Sequence, residues 1–357
     1  MKSSTMIRLR GIEYNKFFST QLVSSFIAAC YRFNTEASQM TPSSKLRAHN
    51  SSDRLYVPTH ALRRRIFLGL VGGACAAGFC HPSSFAVDRF ERPVPGQLRL
   101  SLAAYSLRDR LTKKTDGMDL FQFVDFCREQ GIPGAELTSY YFPKEVTNEY
   151  LVELKQHCHR RGITISGGAI RNDFCQSDAA KVQEDIEQAK RWIDHYAVLG
   201  APVIRIFAGT QPKGDTWDAT VKRCVEACET LAKYAYSKGV YLGLENHGGV
   251  TAKAEGILEI VNKIQSKSFG INFDSGNFST SADPYAELEM IAPYAVNAQI
   301  KVEISPNGQR QETDLARVLN ILRKAGYSGW VALEYEASED PMIAIPKWLQ
   351  KLKGLIA

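Results

Sequence analysis

From Leu98 onward the chain alternates eight times between a short apolar run rich in β-branched residues and a longer segment of helical period. That alternation is the pattern of parallel βαβ units, whose strands are buried on both faces and therefore read as nearly continuous apolar runs. The predicted strands are Leu98–Tyr105, Gly134–Leu137, Ile163–Gly167, Val203–Phe207, Val240–Glu245, Gly270–Asp274, Ala298–Val302 and Trp330–Glu334. Between them lie amphipathic helices. Ala179–Leu199 places Ile186, Ala189, Ile193 and Tyr196 on one face, and Val221–Ser237 does the same with Val225, Cys228, Leu231, Ala232 and Ala235. Gly131, Gly162, Gly200, Gly239 and Gly326 stand where helices should stop before the next strand. Eight units in about 260 residues fit a single α/β domain, a parallel eight-stranded (β/α)8 barrel, better than an open doubly wound sheet.

The first 86 residues have another character. They carry 11 Lys and Arg against 3 Asp and Glu, which leaves 33 basic and 35 acidic residues for positions 87–357. The formal charge of +6 therefore belongs to the leader, and the slightly acidic body offers no nucleic-acid surface. Arg63-Arg64-Arg65 precedes a 14-residue uncharged stretch, Ile66–Phe79, and small residues follow at Ser84 and Ala86. This pattern predicts a twin-arginine-type export signal cleaved near Ala86, and hence a periplasmic location. Fourteen residues are too few for a membrane span, so no stable span is expected after cleavage. Met40 is the more usual distance from such a signal, which would leave residues 1–39 untranslated. Residues 87–97, with Pro93 and Pro95, read as a linker and 98–357 as the barrel.

Five cysteines fall in the body, Cys127, Cys158, Cys175, Cys224 and Cys228, with no CxxC spacing. They read as buried thiols, not as a disulfide scaffold.

Four polar side chains about thirty residues apart close four of the predicted strands: Glu245, Asp274, Gln299 and Glu334. Strand ends in such a barrel face one end of the molecule, so these groups are expected to converge there. Three converging carboxylates repel one another and need protons or a cation to balance them. A divalent metal is the simpler expectation. With oxygen donors alone, Mn²⁺ or Mg²⁺ is favoured over Zn²⁺. His247 and Lys301 are candidate catalytic groups near the same end, Lys301 because it lies two residues past Gln299 on the same side of the strand. Arg205 and Glu136 are expected to pair inside the barrel, with Arg205 also a candidate for substrate contact. Tyr105 and Trp217 are candidates for the pocket wall. His157, His159 and His195 fall on outer helices and are not expected to be ligands.

Over positions 98–350 the chain resembles the sugar phosphate isomerase and epimerase family of xylose isomerase-like TIM barrels. The resemblance rests on Leu244-Glu245-Asn246-His247-Gly248-Gly249, Phe273-Asp274-Ser275-Gly276-Asn277, Gln299-Ile300-Lys301 and Ala332-Leu333-Glu334-Tyr335-Glu336. It implies Glu245, Asp274, Gln299 and Glu334 as metal ligands. Asn277 aligns with a position where many ketose epimerases use a histidine that acts on substrate, and Gln299 replaces the usual histidine ligand. Gln at that position is familiar in the related 3-dehydroshikimate dehydratases.

The expected chemistry is proton abstraction beside the carbonyl of a small polyhydroxylated keto compound through an enediolate, with Glu245 and Glu334 on opposite sides of it. Isomerisation, epimerisation and loss of water of the dehydroshikimate or inosose type share that step. An exported barrel that binds sugar without turnover is the alternative from another class, raised by Gln299 and Asn277. A nuclease is disfavoured by the acidic body and by the scarcity of histidines at strand ends. Related barrels often associate through their helical shells, so a homo-oligomer is an expectation of the resemblance.

Overall fold

The computed structural model describes residues 96–113 and 117–357; the predicted leader, its signal and most of the linker lie outside them. The strands are β1 (Leu98–Ala103), β2 (Gly134–Thr138), β3 (Thr164–Ala169), β4 (Val203–Ile206), β5 (Tyr241–Glu245), β6 (Phe269–Asp274), β7 (Ala295–Ile300), a two-residue pair β8 (Glu303–Ile304) and β9 (Gln311–Glu312), and β10 (Gly329–Leu333). Eight of them close into a parallel barrel in the order β1, β10, β7, β6, β5, β4, β3, β2, while β8 and β9 form a small antiparallel ribbon beside its rim. The predicted (β/α)8 architecture is the observed one.

Among the described residues, eight helices of two turns or more surround the strands: α1 (Leu120–Glu129), α2 (Asn148–Arg161), α3 (Ala179–Leu199), α4 (Trp217–Lys238), α5 (Ala254–Val261), α6 (Pro284–Ile291), α7 (Leu315–Lys324) and α8 (Pro341–Ile356). Their starts are fixed by side chains that accept from orphan amides. Thr147 accepts from the Tyr150 amide, Thr216 from the Ala219 amide, and Asp119 closes a reciprocal capping box with Gln122. Their ends follow from glycine: Gly200 and Gly239 stop α3 and α4 at φ 79° and 72°, where a Cβ would be strained.

Alternation along each strand sorts its residues between helices and lumen. Leu244, Ile271 and Phe273 face outward into one apolar cluster with Leu231, Ile257 and Leu288, and each is fully buried. Burial on this scale stabilises the fold by roughly 1.5–3 kcal/mol per large side chain. On α4 the deeper positions are Cys224, Ala227 and Cys228, and Val225 is only half-buried. All five described cysteines are free and buried, with Cys224 and Cys228 Sγ 3.9 Å apart. His157 lies on an outer helix, as expected, and pairs with Asp125 at 2.8 Å. Among the described residues no helix is long and apolar enough to cross a membrane.

Two of the strand ends that differ from expectation matter for the site. Strand β7 begins and ends earlier than Ala298–Val302, so Lys301 is the first residue beyond it; β1 stops at Ala103, and Tyr105 sits in a short 3-10 turn.

Candidate functional site

The lumen contains two polar layers stacked along the barrel axis. The lower one joins β2, β6 and β7. Glu136 accepts from Gln299 Nε2 at 2.6 Å and from Asn297 Nδ2 at 2.8 Å; Asn297 also donates to Asn272 Oδ1 at 2.8 Å, and Asn272 donates to Gln299 Oε1 at 2.6 Å. All four side chains are buried. Burial raises the Glu136 carboxyl above the ordinary range, against the two amides that stabilise its charge.

The upper layer is charged. Glu245 ends β5, Asp274 ends β6, and Lys301 and Glu334 follow directly on β7 and β10. The Lys301 ammonium lies 3.3 Å from Asp274 Oδ2, 3.5 Å from Glu334 Oε2 and 3.0 Å from Glu336 Oε2, and donates to Asn277 Oδ1 at 2.9 Å. Asn277 in turn donates to Glu245 Oε1 at 2.8 Å. Arg205 Nε sits 2.7 Å from Glu245 Oε2 in a Coulombic contact that is not an aligned hydrogen bond, while its Nη1 donates to the Ile170 carbonyl at 2.7 Å.

These partners shape the acidities. Burial pushes the Glu245 carboxyl up to about 7, with Arg205 opposing the shift. Burial likewise raises Asp274 and Glu334, with Lys301 opposing. For Lys301 burial acts to discharge the ammonium, but the carboxylates of Asp274, Glu334 and Glu336 outweigh it and hold the pKa well above its ordinary value. His247 is lowered to about 4 by burial and the nearby Lys301 and Arg205 charges, so its imidazole is neutral at physiological pH.

Above this layer opens a cavity of about 330 Å³, whose walls include Glu245, Glu334, Glu336, Lys301, Arg205 and His247. That is the lower end of the roughly 300–1,000 Å³ typical of small-molecule sites. Tyr105 and Tyr140 add aromatic surface, and His247 packs on Phe207 with ring centroids 4.3 Å apart. Arg171 lines it as well.

The sequence-predicted residues divide accordingly. Glu245, Glu334, His247, Lys301, Arg205 and Tyr105 line the cavity. Asp274 lies beneath Lys301, and Asn277 lies behind it, bridging Lys301 and Glu245. Three expectations are corrected. Arg205 pairs with Glu245 and not with Glu136, whose oxygens are taken by amides. Trp217 is on the outer shell at the start of α4, donating to Glu259 at 2.8 Å. Gln299 is not beside the three carboxylates: it lies in the lower layer with both ends of its amide engaged.

The expected four-oxygen metal site is therefore not the arrangement these side chains adopt. A divalent ion would have to displace the Lys301 ammonium from Asp274 and Glu334, and Gln299 would have to leave Glu136 and Asn272. Among the described residues no group of three or more His, Cys, Asp or Glu side chains is placed to hold a metal ion. Tyr140, Arg171, Phe207 and Glu336 were not singled out from sequence. Only Glu336 had a readable signal, lying two residues past Glu334 and so on the same side.

The family model of xylose isomerase-like TIM barrels matches residues 124–352, more than half of the chain, and the protein belongs to that family. An uncharacterized protein of Methanocaldococcus jannaschii is 25% identical over 227 residues, covering 57% of this chain and 74% of its own. The fold is shared with a D-tagatose 3-epimerase-like protein (16% identity, TM-score 0.58, 72% of this chain and 98% of that one). It is also shared with the 3-keto-D-glucoside 4-epimerase of E. coli (14% identity, TM-score 0.57, 71% of this chain and 100% of that one). A structure of L-ribulose 3-epimerase is similar too (18% identity, TM-score 0.58, 73% of this chain and 94% of that one).

Proposed function

We propose that this chain is an isomerase or epimerase of a small keto sugar or polyol, working by proton transfer at the carbon beside a carbonyl. The observation that carries the reading is the placement of Glu245 and Glu334 on one cavity wall each, three strand steps apart around the barrel, with a cation between them. Family membership and the epimerases that share the fold support it.

Glu245, whose charged form Arg205 favours against the rise that burial causes, takes the proton from carbon in its carboxylate form. The C–H electron pair moves to the carbonyl oxygen, giving an enediolate. Glu334, raised by burial, carries the proton that is returned to the opposite face or to the neighbouring carbon. His247, neutral and against Phe207, is available to hydrogen-bond a substrate hydroxyl. No step runs through Mn²⁺ or Mg²⁺, because the expected donors are engaged by protein groups. Loss of water is the second outcome of the same carbanion. Glu336 favours keeping it, as a further carboxyl group on the cavity wall 3.0 Å from Lys301 and placed to hydrogen-bond a departing hydroxyl.

The leader supports an exported protein, and a free sugar in preference to a phosphorylated one; a periplasmic fraction lacking the protein would remove that part. The test of the reaction is a panel of ketoses and keto-polyols incubated with the protein in D₂O and followed by NMR. Enzyme-dependent exchange of one C–H, abolished in Glu245→Gln and Glu334→Gln, is the expected result. A folded wild-type protein that exchanges none of them sinks the reading.

A further inference from the structure

Building on that proton-transfer reading, we propose that the Lys301 ammonium stands in place of a divalent metal as the cation that receives the substrate's carbonyl oxygen, so that the site works without a bound metal ion. The strongest argument is how much of the neighbouring loop is formed around this one side chain. Asp274, Ser275, Gly276 and Asn277 follow one another in sequence, and each serves Lys301. Asp274 Oδ2 lies 3.3 Å from the ammonium. Ser275 Oγ accepts from the Lys301 backbone amide at 2.8 Å, which fixes where its stem leaves the chain. At Gly276 a Cβ would come within 2.7 Å of Lys301 Cδ and 3.0 Å of its Cβ, so the stem passes only because there is no side chain here. Asn277 accepts from Nζ and ties it to Glu245.

The atoms that would have bound a metal face protein cations or amide donors instead, Glu245 Oε2 and Asp274 Oδ2 through ionic contact alone. Glu245 faces Asn277 and Arg205 through its two oxygens. Asp274 accepts from the Gly276 amide at 2.8 Å through Oδ1 and faces Lys301 through Oδ2. Gln299 belongs to the lower layer. An ammonium on a four-carbon stem has three donors and no fixed coordination geometry, so a substrate oxygen can replace Glu336 in its shell while Asn277 and Asp274 stay. The charge that develops on that oxygen when the C–H bond breaks then meets a cation already in place and shielded from water. The ligand class is a neutral α-hydroxy ketone, and the species held best is its enediolate.

The test needs no substrate for its first part. Full-length wild-type protein is stripped with EDTA and titrated with MnCl₂, reading bound Mn²⁺ by electron paramagnetic resonance and the melting temperature beside it. The expected result is far less than one ion per chain and no shift in melting temperature. Lys301→Gln frees Asp274 and Glu334 and is expected to gain one saturable Mn²⁺ per chain, with a rise of roughly 5 °C or more near a hundredfold excess over Kd. Lys301→Arg keeps a cation and is expected to stay metal-free. One Mn²⁺ per wild-type chain with a matching rise overturns the proposal, as does a folded Lys301→Gln that binds none; if Lys301→Gln fails to fold, the wild-type titration decides alone. In the second part, wild-type C–H exchange is expected to survive EDTA unchanged, and exchange restored only by Mn²⁺ overturns the proposal. Failure of all exchange with every sugar removes the proposed reaction, whereas the Mn²⁺ titration still judges the role of Lys301 as the resident cation.

Discussion

The two polar layers of the lumen share strands β6 and β7, and they differ in what their hydrogen-bonding groups are left to do. In the lower layer Glu136, Asn272, Asn297 and Gln299 hydrogen-bond one another, and none of them lines the cavity above. In the upper layer the contacts are ionic and uneven: Lys301 faces three carboxylates, and buried oxygens of Glu245 and Asp274 lack an aligned hydrogen bond. The lower arrangement resists change because any movement leaves a buried polar group unpaired. The upper arrangement holds charge in reserve, which is what a proton-transfer site requires.

Substitutions should separate the two. The largest effect is expected at Glu245→Gln, which removes the base and should lower the C–H exchange rate by roughly 10²–10⁴-fold while the urea midpoint moves comparatively little. Glu136→Leu should do the reverse. It strips the acceptor from Gln299 and Asn297, at about 1–3 kcal/mol for each donor left unpaired, and urea unfolding should show it while folded protein keeps most of its exchange activity. A Glu136 variant that unfolds normally but is inactive would erase the distinction between the layers. Gly276→Ala falls between them. Its new methyl group meets the Lys301 stem, so a loss of activity on the order of tenfold is expected alongside a modest destabilisation of about 1 kcal/mol, measured by exchange rate and urea midpoint together.

The smallest effect serves as a baseline outside both layers. Lys263 and Trp217 donate to Glu259 on the outer shell and hold its carboxyl below the ordinary range. A depressed pKa adds stability that is fully present above the unfolded value of about 4.3 and is lost as pH falls through the lower folded value. Trp217→Phe should therefore cost a few tenths of a kcal/mol at pH 7 and progressively less below pH 4, since the pair is largely exposed and screened. Denaturant melts at pH 7 and pH 3 check it.

The barrel was legible because its evidence is repeated: apolar runs, helical periods and glycine stops recur eight times, and each agrees with the others. The site was legible in its membership but not in its depth. Alternation puts both Gln299 and Lys301 in the lumen, yet which of them reaches the cavity depends on where β7 ends. From sequence, Gln299 reads as the residue that closes its strand; the strand ends at Ile300, and Lys301, the next residue in the lumen, is the one that lines the cavity. The run Ala295–Ile300 contains Asn297 and Gln299, so its apolar signal is weak and its register hard to read. The choice of partner for Arg205 was also hidden, because several acids on distant strands were equally plausible and only the closed barrel selects Glu245. The lower layer left no local trace, since every one of its contacts joins residues at least 25 positions apart.

That last property bears on how the chain reaches its final state. Glu136 and Asn297 are 161 positions apart, and Glu136 and Gln299 are 163. Contacts of such sequence separation carry a heavy loop-closure entropy and form only after most of the chain between them is organised. The Glu136 network thus joins the second strand to the seventh as a crossbar that locks late, after both halves of the barrel have found each other. Until it locks, a carboxylate and three amides remain hydrated in an open lumen, and their drying marks the moment the barrel closes.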